Sequence, residues 1–329
     1  MQVAQFPGET SKGSFQRQED AFREIIGGPS GLPAIPGRYH LYVSLACPWA
    51  HRTLITRKIL GLEEWIGISI ADPVRDERGW AFREGRGHGA DPAEGFRFLS
   101  EAYHASDPTF DGRVTVPVLW DRVEKRIVNN SEDDICRMFQ TAFAPPEAPN
   151  LFPAALQKEQ DALSSFLYEK VNNGVYEAGF ATEQKVYEKA VGELFHALET
   201  LEKRLSSSRY LLGDRMVESD WRLFCTLVRF DAVYHGHFKC NLKRILDYPA
   251  LHRHLRDLYL QPGIADTVDL DHIKRHYYIT HDTINPSGIV PAGPAVIFGR
   301  GIDPEIPGLP PGSSRATDSE GKRHRHRRS

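Results

Sequence analysis

The segment Leu41-Tyr42-Val43-Ser44-Leu45-Ala46-Cys47-Pro48-Trp49-Ala50-His51-Arg52 constrains this chain more than any other. Leu41, Val43 and Leu45 alternate as in a buried strand over 41–45, and the proline directly after Cys47 suits the first turn of a helix. Ala50, Leu54, Ile55 and Ile59 then share one helical face over 49–60, and Gly61 stands where that helix stops. The thiol therefore lies where a strand hands over to a helix N-terminus. Unpaired backbone N–H groups and the positive end of the helix dipole favour a thiolate there. Such positions bring a cysteine pKa from about 8.5 to roughly 3.5–7.5. A lone cysteine among apolar neighbours is ordinarily a small buried hydrophobe; the strand–turn–helix context separates Cys47 from that case and marks it as a candidate nucleophile. No second cysteine follows within a turn, which excludes an internal Cys-x-x-Cys dithiol. Any disulfide of Cys47 takes its other thiol from elsewhere, most simply from a small molecule.

A chain of 329 residues with 40% hydrophobic content can bury two cores. Its 41 basic and 44 acidic residues leave a net charge of −3, which offers no electrostatic case for a nucleic acid or a membrane as partner. No apolar signal core or bilayer-length run occurs, and four cysteines (Cys47, Cys136, Cys225, Cys240) make no disulfide framework, so a reducing cytoplasm is expected.

Four regions follow from the patterning. Residues 1–36 form an N-terminal extension, rich in Gly and Pro, with one short helical stretch over 19–26. Residues 37–144 read strand 41–45, helix 49–60, strand 65–70, a Gly- and charge-rich insertion over 72–111, strand 116–120, a turn at Glu124-Lys125, strand 126–128 and helix 132–139. Strands alternating with helices and closing in a hairpin and helix give an α/β thioredoxin-like domain. After the linker prolines Pro145, Pro146 and Pro149, residues 150–280 read as an all-α domain, with Val186, Ala190, Leu194, Ala197, Leu198, Leu201 and Leu205 at helical spacing. Residues 281–329 are expected to be an irregular strap ending in a solvated basic tail over 322–328.

The Cys47 run from Tyr39 to Leu54 resembles the active-site signature of the glutathionyl-hydroquinone reductases, the Xi class of glutathione transferases. The resemblance continues through Gly79-Trp80, the run from Arg113 to Asp121, Ile127-Val128-Asn129-Asn130, Asn172-Asn173-Gly174-Val175-Tyr176, Asp220-Trp221-Arg222-Leu223-Phe224, the runs Arg229–Tyr234 and His237–Asn241, and Ile284-Asn285-Pro286-Ser287-Gly288-Ile289-Val290-Pro291. It covers nearly the whole chain, from about 13 to about 294, and implies the two-domain glutathione transferase fold. Those enzymes have a Ser/Thr-x-x-Asp capping box before the Asp220 motif; here Val217 holds the first position, so the cap is weaker or moves to Ser219.

The resemblance also nominates site residues. Cys47 is the implied catalytic thiolate. Val116, before an expected cis Pro117, is implied to pair with the cysteinyl backbone of glutathione, Arg113 to face its carboxylate side, and Trp80 to stack over the site. Taken alone, Trp80 and Arg113 read as surface packing and a solvated charge. Ser131 and Glu132 stand where the family has Glu-Ser for the γ-glutamyl end, and Asp133 and Asp134 follow. Acids in a first helical turn are ordinary dipole complements, yet the reversed order also allows a related thiol such as γ-glutamylcysteine. Tyr176, Tyr234 and Tyr277 are implied to hold an aromatic substrate and to stabilise a leaving oxyanion, although each alone suits a core lining. His235, His237 and Cys240 are too loosely spaced for a metal, and there is no glycine-rich phosphate loop. The expected protein is a homodimeric, metal-free reductase that takes a small-molecule thiol, glutathione or a relative, and an aromatic quinone-derived substrate. A non-enzymatic interaction module of the same fold is the alternative, against which the intact Cys47, Trp80 and tyrosines argue.

Overall fold

The computed structural model describes residues 10–11, 14–15, 19–294 and 298. A two-strand ribbon, β1 (Thr10–Ser11) and β2 (Ser14–Phe15), precedes a four-stranded sheet of order β4-β3-β5-β6. Its strands are β3 (Tyr39–Val43), β4 (Ile66–Ile70), β5 (Val118–Asp121) and β6 (Arg126–Asn129). β4 runs parallel to β3, and β5 and β6 are antiparallel. Every residue of β3 is buried, as a central strand covered on both faces requires. α1 (Pro48–Ile59) begins with its proline, and Gly61 follows its end at φ +67°, a conformation open to glycine. α2 (Leu99–Ser106) and α3 (Glu132–Met138) complete this domain.

Four expectations need correction here. The strand expected over 41–45 spans Tyr39–Val43, because the chain turns after it, with the Ser44 carbonyl accepting the Cys47 N–H. The stretch 19–26 is extended, not helical. Arg23 bridges antiparallel to Asn129, Glu24 N–H donates to the Val128 carbonyl at 3.0 Å, and Asn130 N–H donates to the Phe22 carbonyl at 3.1 Å. An isolated eight-residue helix is marginal in water, and the open edge of β6 satisfies the same backbone groups. The last part of the 1–36 extension thus belongs to the first domain, whose core includes Ile26 and Leu32. The insertion over 72–111 contains α2, where the Glu101 carboxylate accepts the Phe98 N–H at 2.9 Å and Leu99, Ala102 and Tyr103 are buried. The third strand starts at Val118, because Pro117, which follows a cis peptide, has no N–H for the ladder.

The second domain is helical: α4 (Gln157–Leu167), α5 (Gly174–Gly179), α6 (Gln184–Ser206), α7 (Glu218–Arg229), α8 (Pro249–Tyr259) and α9 (Leu270–Thr280). At the head of α7 the cap without an oxygen is compensated from the other side. The buried Asp220 carboxylate accepts the Val217 N–H at 3.0 Å, the Leu211 N–H at 2.9 Å and His254 Nε2 at 2.9 Å. Ser219 does not take over as cap; its hydroxyl pairs with Ser164 at 2.9 Å. α7 widens at its end into a turn over Phe230–Tyr234, which swings Tyr234 toward α9. After α9 the strap over 281–294 is irregular, held by Asn285, whose amide donates to the Tyr278 and Ile289 carbonyls. The expected basic tail over 322–328 lies outside the described residues.

The two domains meet along α1 and α7. Arg52 of α1 pairs with Glu132 (3.3 Å) and Asp133 (2.6 Å) of α3 and with Glu218 of α7. Arg222, one turn on from Glu218, pairs with Asp133 and with Glu218 at 3.4 Å. The insertion also reaches across: His276 Nδ1 of α9 donates to the Pro73 carbonyl at 2.7 Å, and His272 Nε2 donates to the Arg86 carbonyl at 2.6 Å.

Candidate active site

Cys47 occupies the cap position before α1, with extended φ −78° and ψ 121°. Its N–H donates to the Ser44 carbonyl at 3.1 Å and its carbonyl accepts the His51 N–H at 3.0 Å. A tight turn therefore carries the chain from the sheet into the helix. Cys47 is 9% exposed, and its thiol points at the Val116 carbonyl oxygen, 3.6 Å from Sγ. Cys136 and Cys225 are fully enclosed, and burial pushes both thiols up to about 12. Burial also raises Cys240. None of the four forms a disulfide.

Val116 lines a cavity of about 580 Å³ together with Trp49, Arg113, Ser131 and Glu132. Five sequence-nominated residues, with Cys47 against Val116, thus converge from α1, the segment before β5 and the head of α3. The exception is Trp80. It is buried outside that wall, its ring stacked on His276 of α9 at 5.1 Å and 20°, with the Arg75 guanidinium 5.5 Å from its centroid. The docking of the insertion onto α9 puts it there.

The head of α3 differs from a simple row of dipole complements. Glu132 and Asp133 are tied to Arg52, and Asp134 to Arg23. Burial beside Asp133 pushes the Glu132 carboxyl up, whereas Arg52 and Arg222 overcome burial at Asp133 and hold it well below the usual range. Ser131 is buried, and its side chain caps no backbone group of the helix.

Tyr176, Tyr234 and Tyr277 meet through their hydroxyls. Tyr176 Oη lies 2.5 Å and Tyr234 Oη 3.0 Å from Tyr277 Oη. Burial and the neighbouring phenols push Tyr234 and Tyr277 well above the ordinary range, so both are neutral donors. Tyr176 stacks near Trp49, at 6.4 Å and 29°, and Trp49 lines the cavity. The phenol cluster and the cavity beside the thiol therefore share a wall. His237 Nε2 lies 3.2 Å from His281 Nδ1, and among the described residues no three metal-ligating side chains converge.

One residue that sequence reasoning gave no role belongs here. Arg229, the last residue of α7, is fully buried and donates from Nη2 to the Leu45 carbonyl and from Nε to the Ala46 carbonyl, both at 2.9 Å. Its only sequence signal is membership of the 229–234 motif.

Residues 46–142 match the sequence model of the glutathione S-transferase N-terminal domain, and residues 184–257 that of the C-terminal domain. The chain is 48% identical over 294 residues to a glutathionyl-hydroquinone reductase, PcpF of Sphingobium chlorophenolicum, covering 89% of this chain and 93% of that one. The glutathione-bound structure of YqjG, a glutathione transferase homologue from Escherichia coli K-12, superposes with a TM-score of 0.82 at 49% identity, over 84% of this chain and 94% of that one. The Xi glutathione transferase of Phanerochaete chrysosporium gives a TM-score of 0.84 at 47% identity, over 86% and 93% of the two chains.

Proposed function

Because this chain belongs to the glutathionyl-hydroquinone reductases, the Xi class of glutathione transferases, we propose that Cys47 is the nucleophile of their reaction here. The protein is a glutathione-dependent reductase that removes the glutathionyl group from S-glutathionyl-hydroquinones. In the proposed course, the Cys47 thiolate attacks the glutathionyl sulfur. An S–S bond forms, the carbon–sulfur bond of the ring's keto tautomer breaks, and its electron pair passes through the ring to the neighbouring oxygen, releasing the hydroquinone as an oxyanion that takes up a proton. A second glutathione thiolate then attacks the Cys47 mixed disulfide, releasing oxidised glutathione and restoring the Cys47 thiolate. Val116 and Arg113 hold the thiol ligand beside Cys47. The Tyr176–Tyr277–Tyr234 chain holds the hydroquinone oxygens and stabilises negative charge on them as the bond breaks. The observation that carries the reading is the Cys47 thiol facing the Val116 carbonyl at the edge of a cavity that adjoins the phenol cluster.

Tyr234→Phe and Tyr277→Phe keep the packing and delete one hydroxyl each. Each should cost about 1–3 kcal/mol in kcat/KM, with single-turnover rates showing the loss in the first half-reaction. Wild-type kinetics in both variants would reduce these rings to core packing.

A second reading concerns the thiol. Glu132 is engaged by Arg52, and Ser131 takes the place of the family's glutamate. If a related thiol such as γ-glutamylcysteine is the co-substrate, the swap Ser131→Glu with Glu132→Ser should improve turnover with glutathione at least about tenfold, roughly 1.4 kcal/mol. Arg52 keeps Asp133 and Glu218 as partners in that variant. Good turnover with glutathione before and after the swap excludes the second thiol.

The proposal extends to a metal-free homodimer in a reducing cytoplasm. The absence of disulfides supports the compartment, and family resemblance supports the dimer. Among the described residues no helix is long and apolar enough to cross a membrane. Light scattering at micromolar concentration checks the assembly.

A further inference from the structure

Among the described residues Arg229 is a cation that no acid pairs with. It is fully buried. Its hydrogen bonds among the described residues go to neutral acceptors. Nη1 donates to the Cys225 carbonyl at 2.9 Å and to His51 Nδ1 at 3.0 Å, while Nε and Nη2 take the Ala46 and Leu45 carbonyls. His51 supplies no negative charge. Its Nδ1 accepts from Arg229, its Nε2–H donates to Thr267 Oγ1 at 2.8 Å, and burial drives its pKa well below the usual value.

A buried cation held only by dipoles is costly, and burying it without a counter-charge costs several kcal/mol. The carbonyl end of α7 offsets part of that cost. The head of α1 does the opposite, because it presents a positive end toward the same turn. Burial pushes the thiol of Cys225, one turn back on α7, up to about 12 against the pull of Arg229, so it stays protonated and one group nearby can become an anion there. It is the thiol of Cys47, the residue that follows the two carbonyls Arg229 holds.

The other ionisable groups around this turn leave that role vacant. Glu132, Asp133 and Glu218 are tied to Arg52 and Arg222. Burial lowers His276 of α9 to about 3, so it is neutral. Tyr234 and Tyr277 are raised by burial, with Arg229 opposing that shift, and stay protonated. Tyr176 contributes its hydroxyl to the Tyr277 contact, and Arg113 carries the same sign as Arg229.

We propose that Arg229 is the positioning residue of the nucleophile: it locks the Leu45–Ala46 carbonyls that lead into the helix start and supplies the buried positive charge that the ionised Cys47 balances. The proposal rests on the reading of Cys47 as the nucleophile. It makes α7, an element of the helical domain, a part of the thiol's activation. A thioredoxin-like domain separated from its partner would lack this charge.

The test is the pH dependence of Cys47 alkylation by iodoacetamide, mapped by mass spectrometry, with single-turnover rates on the full-length protein. Arg229→Gln keeps hydrogen-bonding capacity and deletes the charge. Its alkylation midpoint should rise by at least about one pH unit, so that alkylation below the wild-type midpoint slows about tenfold. Its KM should change little while its first half-reaction slows by a similar factor. Arg229→Lys keeps the charge, but one ammonium cannot reproduce the planar fork across two carbonyls. Its midpoint should stay near wild type while its first half-reaction slows at least about fivefold. A folded Arg229→Gln with the wild-type midpoint overturns the charge role. If Arg229→Gln does not fold, Arg229→Lys decides: wild-type turnover in that variant overturns the positioning role. A wild-type substrate adduct on a cysteine other than Cys47 overturns the nucleophile reading itself, and this proposal with it.

Discussion

Cys47→Ala should give a folded protein whose reductase turnover is at least about 10³-fold lower, a loss of roughly 4 kcal/mol in transition-state stabilisation. The side chain lies at a helix start against the Val116 carbonyl, so its truncation leaves little void, and a loss of thermal stability beyond about 1 kcal/mol is the cost of leaving the Arg229 charge unbalanced. Cys47→Ser should lose the same reaction, because a hydroxyl at neutral pH is neither ionised nor reactive toward sulfur. No other cysteine can substitute. Cys136 and Cys225 are pushed up to about 12 by burial and Cys240 is also raised, so at neutral pH all three are protonated and enclosed. Wild-type protein given S-glutathionyl-hydroquinone without free thiol should gain one reductant-sensitive adduct, on Cys47. Retained turnover in Cys47→Ala would end the mechanism.

Arg52→Ala should destabilise the protein by about 3–5 kcal/mol, read as a lower denaturant midpoint. Arg52 is the common partner of Glu132, Asp133 and Glu218, and its side chain and that of Glu218 are each 3% exposed. Its removal leaves three carboxylates at the domain junction with Arg222 alone. The cost should persist across ordinary pH. Asp133 has a folded pKa well below its unfolded value, so its stabilising contribution is fully present above about pH 4 and is lost only as pH falls through the folded value. An unchanged midpoint in Arg52→Ala would mean that apolar packing of α1 on α7 carries the junction without the ion network.

The elements that local chemistry dictates were legible in the chain. The strand, Cys-Pro and helix around Cys47, the amphipathic α6 and the hairpin at Lys125, which takes φ +54°, all report their conformation through spacing within a few residues. The helix predicted over 19–26 failed for the reason the others succeeded. Its periodicity is real but too short to hold a helix, and a sheet edge distant in sequence claimed its backbone. Trp80 was legible as a motif residue, but its contact with His276 depends on how the insertion lies across α9.

By itself the sequence determined that a thiol would sit at a strand-to-helix turn, because backbone sterics, proline and hydrophobic alternation act over a few residues. Only the tertiary structure decided what surrounds that thiol. The phenols of Tyr176, Tyr234 and Tyr277 share a hydrogen-bond chain, and the acids at the head of α3 answer to arginines on α1, on α7 and in the N-terminal edge segment. Arg229 reaches carbonyls 183 and 184 residues away. Charged and hydroxyl side chains have no periodicity that names a partner. The partner is chosen when two domains exclude water from the same junction, and a buried charge must then find its complement there.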